Sequence, residues 1–108
     1  MSRHTLEVKA NTPSGKAILV VGYEIRPSPQ FFCTLQDADP SAQAFLWSSL
    51  FSLEHLNADS VDEFDEVLAG HGVTVPGFLK KALSEDWVKR QIDTDYYWHE
   101  DGTFEQLR

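Results

Sequence analysis

The chain has 108 residues, 42% of them hydrophobic and 12% aromatic, which suits one folded core and does not suit a disordered segment. Its net charge of −8 lies wholly in residues 54–108, where thirteen carboxylates face five bases, while residues 1–53 balance. That distribution argues against a nucleic-acid reader built on a basic stripe and against an anionic-lipid binder, and no apolar run approaches the ~20 residues that span a bilayer.

The opening Met1-Ser2-Arg3-His4-Thr5 runs into a polar alternation with no apolar signal-peptide core, and the single Cys33 has no partner for an internal disulfide. A cytoplasmic protein is expected. Leu6, Val8 and Ala10 alternate with Thr5, Glu7 and Lys9, which predicts a half-exposed strand. Thr12-Pro13-Ser14-Gly15 is turn chemistry. Ala17 to Ile25 reads as a more buried strand with Leu19, Val21, Tyr23 and Ile25 on one face; Ile18 and Val20 begin the other face before it turns polar at Glu24. Pro27-Ser28-Pro29 breaks that strand, and Gln30 to Gln36 forms a third with Phe31, Cys33 and Leu35 together. The short connections make these three an antiparallel meander.

Asp37 to Ser41 is a polar loop. Ala44 to Leu53 alternates as a fourth strand would, yet its apolar run also admits a helix. Ser60-Val61-Asp62-Glu63 is a capping box in which the Ser60 hydroxyl accepts from the Glu63 amide. Val61, Phe64, Val67 and Leu68 then share one helical face, Asp62, Glu63, Asp65 and Glu66 the other, and Gly70 and Gly72 supply the stop. Pro76 opens a second helix with Phe78, Leu79, Ala82 and Leu83 inward. Its register would bring Asp86 and Arg90 onto the same face, so the helix is expected to fray or bend near Glu85. Asp93 to Phe104 mixes acids with aromatics, and Asp101-Gly102 is a hairpin signal; the segment is either two short strands or a flexible arm.

The stretch Gly22-Tyr23-Glu24-Ile25-Arg26-Pro27-Ser28-Pro29-Gln30-Phe31-Phe32 resembles a pattern in small, uncharacterised bacterial proteins, where Gly-Tyr and Arg-Pro precede Phe-Phe at a strand start. The similarity extends from Val20 to Asp86, through Gly72-Val73-Thr74-Val75-Pro76, and departs at Ile25 and in the acidic aromatic tail. It implies a bacterial source and a strands-then-helices order. It implies no activity and so no site residue.

Catalytic constellations are missing from the sequence. Cys33 sits in an apolar strand, where burial blunts a thiol, and no Gly-x-Ser-x-Gly elbow exists. There is no Gly-x-x-x-x-Gly-Lys and no Gly-x-Gly-x-x-Gly, so no cofactor is expected; Gly70-His71-Gly72 is a helix stop. A metal-assisted hydrolase using His55, His71 or His99 with nearby carboxylates such as Asp59, Asp62, Asp65, Glu66, Glu100 and Asp101 is the enzyme alternative. Its spacings match neither His-Glu-x-x-His nor a calcium loop, so no metal ligand is assigned.

The favoured expectation is a single α+β domain over residues 1–92, an antiparallel meander of three to four strands followed by two helices packed on it, with residues 93–108 as a C-terminal hairpin or flexible arm. Its function is expected to be non-enzymatic, binding or regulating a protein partner with a basic surface, with no direct nucleic-acid or membrane contact. The candidate contacts are Asp62, Asp65 and Glu66 on the acidic helix and Asp95, Tyr96, Tyr97, Trp98, His99, Glu100 and Asp101 in the tail, because aromatic anchors among acids suit a basic, partly apolar groove. The alternative reading is that Tyr97, Trp98 and Phe104 close the core, to which Trp47 and Trp87 are assigned.

Overall fold

The computed structural model describes residues 1–39, 41 and 45–108. Pro40 in the polar loop and Ala44 at the start of the ambiguous run lie outside them. Among the described residues, six strands form one sheet: β1 (Ser2–Lys9), β2 (Lys16–Glu24), β3 (Gln30–Asp37), β4 (Phe45–Ser48), β5 (Asp95–Trp98) and β6 (Phe104–Gln106). Their order across the sheet is β4-β3-β2-β1-β5-β6. Two helices, α1 (Asp65–Gly70) and α2 (Gly77–Lys89), follow β4. The fold is α+β, as expected.

The sheet departs from the predicted meander. Strands β1 to β4 are antiparallel neighbours, but β5 lies parallel to β1, with Arg3 beside Asp95 and Leu6 beside Trp98. The sheet is therefore mixed and wider than three or four strands. A parallel neighbour needs a long crossover, and residues 49–94, with both helices, supply it. The tail residues Asp95–Trp98 and Phe104–Gln106 are paired strands of this sheet and not an arm.

Period-2 alternation sorts the strand side chains. His4 and Leu6, then Leu19, Val21 and Tyr23, then Phe31, Cys33 and Leu35 are buried on the side where Phe64, Leu68, Leu79 and Leu83 of the helical region pack. Thr5, Val20, Phe32 and Thr34 alternate with them on the outer side and stay partly exposed. The Cα radius of gyration of 13.1 Å matches the ~13 Å of a folded chain of this length.

One local ambiguity is resolved and two local expectations are corrected. The ambiguous run is strand first and 3-10 turn afterwards: the Ser48 hydroxyl accepts from the Leu50 amide at 3.1 Å and ends β4, and turns follow at Ser49–Phe51 and Leu53–His55. The Ser60 hydroxyl accepts from the Asp62 amide at 3.2 Å, one residue earlier than a capping box requires, so Val61–Phe64 is a 3-10 turn and α1 proper begins only at Asp65. Helix α2 does not fray at Glu85. It continues to Lys89 because the polar groups on its buried face have partners: Asp86 meets His4, and Arg90, which closes the helix at φ 56°, donates from Nη1 to the Tyr23 hydroxyl at 2.9 Å. Among the described residues, no helix is long and apolar enough to cross a membrane.

Candidate functional site

Alternation along β5 divides the candidate tail residues between two environments. Tyr96 and Trp98 turn toward the helices. Tyr96 stacks on the His4 ring at 5.0 Å, and Trp98, 8% exposed, lies against Phe78 at 5.1 Å and Phe104 at 4.8 Å. The Trp98 indole donates from Nε1 to His4 Nδ1 at 2.9 Å, and His4 Nε2 stands 2.7 Å from Asp86 Oδ2. An indole N–H can only donate, so Nδ1 accepts, the imidazole proton sits on Nε2, and Asp86 receives it. Both ring nitrogens are thus engaged, which leaves His4 no lone pair for general-base work. This buried Trp98–His4–Asp86 chain ties β5, β1 and α2 together, and its pairs lie 94 and 82 residues apart in sequence.

The remaining tail candidates stay at the surface. Tyr97 is half-buried on the outer face and pairs in register with Glu105, and Asp95 on the same face sits beside Arg3. His99 is exposed with Nε2 4.0 Å from Glu105 Oε2. Asp101 holds its own turn, its Oδ1 accepting from the Thr103 hydroxyl at 2.6 Å and the Thr103 amide at 2.9 Å; these bonds keep its carboxyl below the usual range. Glu100 is exposed. Strand β6 ends the sheet, and all three of its residues are exposed.

The acidic helical region is less open than its sequence suggests. Asp62 and Asp65 both accept from Lys80 Nζ, at 2.6 and 2.7 Å, and these two carboxylates, Asp62 first, raise the Lys80 ammonium above its ordinary range. Glu66 on α1 is exposed. Lys80 and the Phe78 that packs on Trp98 are two residues apart on α2, roughly 200° around its axis. The acidic helix and the hairpin therefore lie on different sides of α2 and do not make one continuous surface.

The residues proposed for catalysis do not converge. His55 is buried, with Nδ1 3.2 Å from the Ser52 hydroxyl and its ring against Trp47 and Phe64, whereas His71 caps α1 and His99 lies on the hairpin. Among the described residues, no three His, Cys, Asp or Glu side chains come together as metal ligands. Burial pushes the Cys33 thiol up to about 12, so it is no nucleophile near neutrality.

One feature escaped the sequence reading. A groove of about 670 Å³ opens on the outer sheet face, lined by Val20 and Phe32 of the strands and by Leu50 and Leu56. The apolar Val20 on the second face of β2 was a local sign of it. Compared with known protein families, curated proteins and solved structures, the chain matches none.

Proposed function

We propose that this protein is a non-catalytic binding domain whose β5–β6 hairpin receives a basic, partly apolar segment of another protein. The observation that carries this reading is the division of the tail by strand alternation. Tyr96 and Trp98 anchor the hairpin from inside, so Glu105 on the edge strand β6, Tyr97 beside it on β5 and Glu100 in the connecting turn stand on a braced hairpin. An edge strand offers main-chain hydrogen bonds to an added strand, and carboxylates beside it select lysine and arginine and speed encounter. Asp62 and Asp65 are occupied by Lys80, so with Glu66 they add to the long-range field more than to the contact. The engagement of both His4 nitrogens and the burial of Cys33 also favour binding over catalysis.

Affinity capture from a lysate of the source organism tests this with two variant sets. Glu100→Gln with Glu105→Gln is expected to lose a salt-sensitive partner that Asp62→Asn, Asp65→Asn and Glu66→Gln retains. Equal recovery by both sets, independent of salt, would overturn the reading.

A further inference from the structure

We infer that the outer-face groove is a binding site for a small amphipathic anion, a carboxylate carrying an extended apolar body. Its volume of about 670 Å³ falls in the ~300–1,000 Å³ range of small-ligand sites. The floor is built by a cross-strand pair. Gly22 and Phe32 are register partners, and the Phe32 ring occupies the space that a side chain at Gly22 would need. Leu50 and Leu56, 60% and 40% exposed, extend this apolar floor beyond the strands.

The charge at the groove opposes that of the whole chain. Arg3 and Arg26 both line it, and among the described residues neither guanidinium forms an ion pair or a side-chain hydrogen bond. Among the described residues, the one carboxylate lining the groove, Glu24, is engaged: Oε1 accepts from the Ile25 amide at 2.8 Å, and Oε2 lies 3.4 Å from the Met1 amine. Asp95 neighbours Arg3 in register without pairing to it. Two uncommitted guanidinium forks beside apolar surface, in a protein of net charge −8, select a carboxylate head with an apolar tail. This inference stands independently of the hairpin reading.

The test is a calorimetric and NMR titration of the intact chain with decanoate, decanol and decyltrimethylammonium. Decanoate is expected to bind with amide shifts centred on Val20, Phe32 and Leu50. The Arg3→Gln, Arg26→Gln double variant is expected to weaken decanoate about tenfold, the scale of a lost charge-assisted hydrogen bond, while decanol is unchanged. Both arginines are exposed, and a melting curve verifies that the variant folds. Should it not fold, Arg26→Gln alone serves with the same expected direction. No decanoate binding below about 1 mM, equal binding of the cationic amphiphile, shifts away from the groove, or an arginine variant with unchanged affinity would overturn the inference.

Discussion

Replacing Asp86 by alanine removes the acceptor from a buried hydrogen-bond chain. His4, 1% exposed, would keep an Nε2–H with no partner, and Trp98 would still occupy Nδ1. An orphaned buried donor costs about 1–3 kcal/mol, and the lost bond is made to a carboxylate, which places the penalty near the upper end, about 3 kcal/mol. For a domain of this size that lowers Tm by about 12 °C or more. Asp86→Asn keeps an acceptor oxygen and should cost about 1 kcal/mol. The double variant His4→Leu, Asp86→Leu removes both partners, so its cost should fall short of the sum of its single variants by about 1–2 kcal/mol. Urea unfolding followed by tryptophan fluorescence measures all of these. A loss below about 0.5 kcal/mol for Asp86→Ala, the size of an ordinary surface change, would refute the reasoning and restore a helix frayed at Glu85.

Three further outcomes are expected. Gly22→Ala drives a methyl onto the Ser2 carbonyl oxygen and the Phe32 ring, and should destabilise by about 2–3 kcal/mol in the same unfolding assay. Lys80→Met should cost about 1 kcal/mol at most near neutrality, because the ion pairs are solvent-facing; since Asp62 and Asp65 raise Lys80 in the folded state, its advantage over methionine should persist below its ordinary value of 10.5 and disappear as pH rises further. Asp37 is lowered first by the Ser14 hydroxyl and then by the Asp39 amide, so its stabilisation is present above the ordinary carboxyl value of 3.8 and is lost as pH falls through the folded value; urea midpoints for wild type and Asp37→Asn should converge in acid.

What the sequence disclosed followed the range of the interactions involved. The alternations in β1, β2 and β3, the Gly70–Gly72 stop and the Asp101-Gly102 hairpin all depend on neighbours within a few residues, and each appears where the residues place it. The course of α2 beyond Glu85 did not follow from local pattern. An aspartate on a buried face reads as a helix breaker until His4, 82 residues earlier, is known to receive it. The same holds for the tail. Its hairpin was legible, but its seat beside β1 depends on Trp98 finding His4 across 94 residues. The candidate site was half-visible: the residue types of the tail were evident, while the inward turn of Tyr96 and Trp98 and the capture of Asp62 and Asp65 by Lys80 came only from tertiary contacts. The outer groove draws on β1, β2, β3 and the turns after β4, so no single window of sequence contains it.

The binding role of the hairpin edge is tested most directly by chemical-shift mapping with two strand-forming octapeptides, one alternating lysine and valine, the other glutamate and valine. The account predicts that the lysine peptide shifts amides at Phe104–Gln106 and Tyr97, that raised salt weakens the effect, and that the glutamate peptide leaves these amides in place. Equal shifts from both peptides, or shifts confined to residues away from the β5–β6 hairpin, would contradict it.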